Sequence, residues 1–321
     1  YTEAEPLLIE GLEMRKRLLG AKHPDVANSL NNLANLYSDQ GRYTEAEPLL
    51  IEGLEMTKRL LGAEHPDVAN SLNNLAILYR SQGRYTEAEP LYLEALEIIK
   101  QLLGAEHPDV ANSLNNLANL YSDQGRYTEA EPLYIEALEM YKQLPGAEHP
   151  DVANRLNNLA ILYSEQGRYT EAEPLYLEAL EMRKRLLGAK HPDVANSLNC
   201  LASLYSDQGR YTEAEPLYLE ALKMYKQLPG EEHPDVATSL DNLALLYNYQ
   251  GRYTEAEPLY LAALKMTMRL LGEEHPNTQT FQKNYLYFLQ QVLRENRQED
   301  LSYEISLQII SDMEKLSLEN S

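Results

Sequence analysis

Between Pro24 and Gln40 the apolar residues are Val26, Leu30, Leu33, Ala34 and Tyr37, spaced four, three, one and three. That spacing is one face of a 3.6-residue period and predicts an amphipathic helix. A second stripe follows from Thr44, made of Ala46, Leu49, Leu50, Gly53, Leu54 and Leu61, with Glu52, Glu55 and Arg59 on the water side. Proline and glycine give the boundaries. Of sixteen prolines, seven stand in Glu-Pro, seven in His-Pro, and Pro145 and Pro229 just before a glycine. Thirteen of fifteen glycines fall at the expected helix ends, in Leu/Pro-Gly or Gln-Gly-Arg. Glycine past a helix end takes left-handed backbone cheaply, and proline suits a first turn. His23 occupies the cap position before Pro24, and Asp25 favours the positive end of the helix dipole. Thr44-Glu45-Ala46-Glu47 predicts a capping box for the second helix. Tyr37 and Tyr43 are expected between the two helices.

The pattern repeats. Tyr-Thr-Glu-Ala-Glu-Pro starts at Tyr1, Tyr43, Tyr85, Tyr127, Tyr169, Tyr211 and Tyr253, each 42 residues after the last. A fixed period of this size predicts an all-α solenoid, in which each unit covers its apolar faces only by stacking on neighbours. Function is then expected in a stripe along many repeats. The expected array covers residues 1–294: an orphan second helix over 1–19, six helix pairs over 24–272, and a decayed capping helix over 276–294. Residues 295–321 are expected to hold a polar break and a last helix, roughly 302–317. Ala46 and Gly53, with Ala95 and Ala137 in later copies of the Gly53 position, are small where helix axes would approach closely.

Charge narrows the partners. The net charge of −22, from 28 basic and 50 acidic residues, argues against nucleic acid and against anionic membrane surfaces. No apolar run is long enough to span a bilayer. Cys200 is the one cysteine of the 321 residues, so no intrachain disulfide forms and a cytoplasmic, reducing setting is expected. Beginning at Tyr1, inside a repeat and without Met, the sequence is expected to be a fragment.

Leu33-Ala34-x-x-Tyr37-x-x-x-Gly41-x-Tyr43-x-x-Ala46-x-x-x-Leu50-x-x-Gly53 has the spacing of a tetratricopeptide (TPR) repeat, with Tyr92 and Ala95 at the usual last two positions. The 42-residue unit, with Leu-Gly-x-x-His-Pro-Asp-Val-Ala, Leu-Asn-Asn-Leu-Ala and Gln-Gly-Arg-Tyr, resembles the TPR domain of kinesin light chains. The resemblance covers about residues 1–290. It implies a right-handed superhelix of stacked antiparallel helix pairs. It also implies a cargo adaptor that accompanies a motor and binds a protein or extended peptide in its concave groove. A kinesin heavy chain-like partner would be reached through a heptad segment upstream of Tyr1. Similar 42-residue arrays also form the ligand-sensing arms of larger signalling NTPases, which is the alternative.

Catalytic and metal chemistry is not expected, nor is a cofactor. His23, His65, His107, His149, His191, His233 and His275 lie in equivalent loops. Stacked helices 8–10 Å apart cannot bring successive copies to zinc-ligand distance. Cys200 replaces the Asn of earlier copies and has no neighbouring histidine in register as a base. The asparagines stand apart. Asn28, Asn31, Asn32 and Asn35 share the face opposite Leu30, Leu33 and Tyr37. The pattern returns as Asn70, Asn73, Asn74, as Asn112, Asn115, Asn116, Asn119, as Asn154, Asn157, Asn158, and as Asn196, Asn199. Asn costs a helix interior roughly half a kcal/mol against Ala, so stability alone would not select it. Two readings stand. The ladder lines a groove for the backbone amides of an extended peptide, with Arg80 on its edge, or it ties neighbouring repeats together.

Overall fold

The computed structural model describes residues 4–143, 150–228 and 233–310, and the described residues contain no strand. Two compact units, 1–167 and 168–321, divide the chain. The first holds α1 (Ala4–Leu19), α2 (Pro24–Asp39), α3 (Tyr43–Leu61), α4 (Pro66–Ser81), α5 (Tyr85–Leu103), α6 (Pro108–Asp123), α7 (Tyr127–Gln143) and α8 (Pro150–Glu165). The second holds α9 (Tyr169–Leu187), α10 (Pro192–Asp207), α11 (Tyr211–Lys226), α12 (Pro234–Tyr249), α13 (Tyr253–Leu271) and α14 (Pro276–Arg294), then a 3-10 turn at Gln298–Asp300. Residues 304–310 are helical, residues 302–303 of the expected last helix are not, and its residues 311–317 lie outside the described residues, as do His149, Pro145 and Pro229.

Within each unit every helix packs on its chain neighbours. First helices also meet first helices of the next repeat, α2 with α4 and α6 with α8, then α10 with α12 and α12 with α14. The buried face is the one the period marks: Val26, Leu30 and Ala34 are fully covered, as are Ala46 and Leu50. In later copies a tyrosine fills the Leu50 position, with Tyr92 fully buried. Tyr37 is buried, whereas Tyr43, at the first turn of α3, is only half-buried; Tyr253 in the same register is buried where Phe288 and Arg297 pack on its ring. Leu49 and Leu61 are likewise half-buried, and Met56 and Thr57 complete the covered stripe.

Histidine caps form as expected. His23, His65, His107, His191, His233 and His275 each accept, through Nδ1, the backbone N–H two residues on, at 3.1–3.3 Å. The capping box does not form. Gly41 at φ 72° and the bond from Arg42 N–H to the Tyr37 carbonyl, 2.8 Å, turn the chain so tightly that Arg42 becomes the cap and Thr44 already lies inside α3. The glutamates then serve another purpose. Arg42 donates from Nε and Nη2 to Glu45 at 2.6 and 2.7 Å, and from Nη1 to Glu5 of the preceding repeat at 2.8 Å. Its guanidinium lies 4.1 Å over the Tyr37 ring. Arg84 repeats this with Glu87, Glu47 and Tyr79, and Arg126 with Glu129, Glu89 and Tyr121. In the second unit Arg210 and Arg252 do the same with Glu173 and Glu215 of the preceding repeats.

The last repeat ends differently. Glu257, in the register of Glu47, is buried and accepts the N–H groups of Ser302 and Tyr303 at 2.7 and 3.1 Å. Phe288 packs edge-on to Tyr253 and beside Tyr260, and the Tyr285 hydroxyl pairs with Ser306 at 2.6 Å. Aromatic bulk and the returning chain so replace the next repeat's contacts.

Gly53 sits mid-helix where five later copies in the register carry alanine, Ala95 among them. A Cβ there would crowd the tip of the Asn31 side chain at 2.7 Å and make ordinary contact with the Ala27 carbonyl at 3.5 Å, and one at Gly11 would meet nothing within 4 Å. Gly53→Ala and Gly11→Ala should therefore each stabilise the chain by about 0.4–1 kcal/mol, read as a higher urea midpoint with unchanged slope. A loss of stability at Gly53 would show that the Asn31 side chain cannot move aside.

Candidate functional site: an asparagine-lined inner face

Because first helices touch one another and lie side by side, they form the inner row of each unit. Residues one period apart then stand in ladders across α2, α4, α6 and α8, and across α10, α12 and α14. The asparagine ladder divides into rows with different surroundings. Asn28, Asn32, Asn35, Asn70 and Asn196 are exposed. Asn73, Asn74, Asn112, Asn116, Asn119, Asn154, Asn158 and Asn199 are half-buried. Asn31, Asn115 and Asn157 are buried.

The buried row ties repeats together. Asn31 donates to Ser71 Oγ at 3.2 Å, and Asn199 to Ser239 Oγ at 3.0 Å. Asn158 donates to Asn115 Oδ1 at 2.9 Å. These residues lie where one first helix leans on the next, so the face opposite the leucines is not all solvent. Spacing within one helix could not reveal this, since the neighbouring helix decides it. Arg80, expected on the groove edge, is half-buried and bonds to Asp123 one repeat on. Asn119 accepts from the Tyr134 hydroxyl at 2.6 Å, and Asn112 from the Tyr141 hydroxyl at 2.8 Å and from Arg155.

In the second unit the inner face holds a cavity of about 260 Å³ between α10 and α12, floored by Tyr225 of α11. Asn196 and Asn199 line it together with Cys200, Ser203, Asp235, Thr238 and Asn242. Thr238 and Asn242 continue the Asn28 and Asn32 registers, so counting in periods rather than by residue identity would have extended the site to α12. The Cys200 thiol lies 3.6 Å from Asn196 Oδ1.

Comparison with known proteins fits this geometry. The tetratricopeptide repeat model matches residues 1–59, 27–101, 67–143, 109–185, 151–227, 193–268 and 237–283. The chain belongs to the tetratricopeptide repeat family. Its fold is the all-α TPR solenoid of stacked helix pairs. BtubC (BKLC) from P. vanneervenii is 28% identical with a TM-score of 0.57, over 74% of this chain and 94% of that one. A protein of Podosopora anserina assigned to the kinesin light chains, with nearly identical TPR-like repeats, is also 28% identical, with a TM-score of 0.53, over 64% and 97%. No curated protein matches. The TPR array is thus of the kinesin light chain type, a protein-interaction scaffold. Among the described residues no helix is long and apolar enough to cross a membrane.

One TPR first helix breaks the buried row. Asp241 of α12 stands in the register of Asn31 and Asn115, is buried, and accepts from Asn284 of α14 at 2.7 Å. The bond copies the one between Asn158 and Asn115, with a carboxylate in place of an amide. Burial pushes the Asp241 carboxyl up from 3.8 to about 7, against the opposing pull of the Asn284 bond. Above its ordinary value the unfolded chain releases this proton while the folded chain keeps it, so stability falls as pH rises from about 4 to about 7. Asp241→Asn should remove this dependence. Its melting temperature should exceed that of the parent at pH 8, by up to about 4 kcal/mol in stability, and match it near pH 3.5. An equal difference at both pH values would assign the effect to packing.

Proposed function

We propose that the chain is a non-catalytic scaffold of the cytoplasm that binds an extended protein segment along the exposed asparagine rows, in the manner of a cargo adaptor. What supports this is the division of the ladder. Inter-repeat ties account for Asn31, Asn115 and Asn199. They leave unexplained why Asn28, Asn32, Asn35 and Asn70 stand exposed in poor helix-forming positions. Each amide offers donors and an acceptor, the set that pairs with a peptide backbone in extended form. Near-identical repeats present the same contacts again and again, which favours multivalent binding built from modest increments.

Peptides selected from a random 12-residue phage library on the folded chain supply the probe. Replacing Asn28, Asn32, Asn70 and Asn74 by Ala should weaken the selected peptides by roughly 1 kcal/mol per lost bond while the melting temperature holds or rises. Replacing the buried Asn31 and Asn115 should lower the melting temperature instead. Undiminished binding by the four-residue variant would sink the groove reading.

A further inference from the structure

The cavity between α10 and α12 has a counterpart in the first unit, with Cys200, Ser203 and Thr238 in place of Asn116, Asn119 and Asn154, and with one further difference that decides whether it is open. Seven residues hold the register of Tyr225 along the second helices. Apart from Tyr141 and Tyr225 they are Arg15, Thr57, Ile99, Arg183 and Thr267. Tyrosine thus floors the inner face at two places only. In the first unit that floor is covered from within. Arg155 of α8 lays its guanidinium 5.1 Å from the centre of the Tyr141 ring and donates from Nη2 to Asn112 Oδ1. Asp151 stands one turn before Arg155 on the same helix.

The second unit keeps three parts of that arrangement. Tyr225 corresponds to Tyr141, Asn196 to Asn112 and Asp235 to Asp151, all 84 residues on. The residue in the place of Arg155 is Ser239, which is fully buried and turned to the Asn199 bond. Where Arg155 lies in one unit, the other has the open space of about 260 Å³. In that space Asn196 Oδ1 meets only the weak thiol donor of Cys200, at 3.6 Å. We propose that this cavity binds the guanidinium of an arginine side chain carried by a partner segment, stacked on Tyr225 and bonded to Asn196 and Asp235.

The chemistry is that which Arg155 displays in the first unit. A guanidinium over a tyrosine ring gains cation–π attraction, strengthened where water is excluded. Its fork of donors suits an amide oxygen and a carboxylate together. Burial first, and then the nearby Asp235 and Asp193, drive the Tyr225 hydroxyl upward; the two carboxylates favour a cation here, with Arg183 opposing them. Arg183 is itself engaged, donating to Ser197 Oγ at 2.6 Å. The surroundings agree. Arg80 and Arg155 are the only cations on α2, α4, α6, α8, α10 and α12, against an aspartate at the first turn of each. The net charge of −22 draws basic segments to the chain. The inference rests on the groove reading, since Asn196 belongs to the exposed rows, and it names the chemistry of the partner at one point of that groove.

Nuclear magnetic resonance titration of the isotope-labelled chain with Nα-acetyl-L-arginine amide tests it, with the neutral citrulline amide as isostere. Arginine amide should shift signals of residues lining the cavity, and citrulline amide should bind about tenfold more weakly. Ser239→Arg should fill the cavity from inside, as Arg155 does, and abolish the shifts. Arg155→Ser should open a second site, with new shifts at Asn112 and Tyr141. Tyr225→Thr, a residue the register already tolerates, should weaken binding about tenfold. Equal binding of citrulline, or binding unchanged in folded Tyr225→Thr, would overturn the proposal. The exposed-row variant of the first unit leaves this cavity intact. Failure there with arginine still bound removes the groove reading alone, and the converse removes this one alone.

Discussion

A pair of helices 42 residues long has two apolar faces and can cover only one by itself, so each repeat depends on the next. The junction is therefore the unit of stability. Within the two units it is made the same way at Arg42, Arg84, Arg126, Arg210 and Arg252: leucine, valine and alanine packing beneath, and above it an arginine that grips a glutamate on either side while lying on a tyrosine. One guanidinium thus joins two repeats and fixes the turn between two helices. The side chains of this clasp are about one-third exposed, so its ion pairs alone contribute little. Its weight comes from bidentate geometry and stacking acting together.

The same constraint explains the two kinds of asparagine. First helices stand side by side, so some positions of the polar face press against the next helix and others are open to solvent. The pressed positions carry Asn31, Asn115 and Asn157; Asn31 bonds to Ser71 and lies against Gly53, and Asn115 accepts from Asn158 one repeat on. The open positions carry Asn28, Asn32 and Asn70. Exposed asparagines and inter-repeat ties are neighbours on one helix, separated by a single turn or less.

Much of this was legible in the sequence. Period, helix boundaries, histidine caps and the buried leucine face follow from spacing and from proline and glycine chemistry. The capping box was misread because Gly41 sets the turn, and the turn decides that Arg42, not the threonine, stands at the cap. Glu47 was consequently taken for a cap when it belongs to Arg84 of the next repeat. The asparagine rows could not be parted from one helix alone, because the partner helix supplies the difference. Arg155 stands out from the serines of its register, Ser29, Ser71, Ser113, Ser197 and Ser239, yet its meaning needs the tyrosine beneath, which comes from another helix. Relations within a helix were readable, and those between helices were not.

Hydrogen exchange on Arg126→Ala tests the dependence on junctions most directly. This substitution removes the grip on Glu89 and Glu129 and the stack on Tyr121 without touching the leucine core. Stability built from neighbour contacts predicts that amide protection falls in α5, α6 and α7 and stays at parent levels in α2, α3, α11 and α12. Equal loss of protection in every helix would contradict it, and would mean that the chain opens as one cooperative body rather than junction by junction.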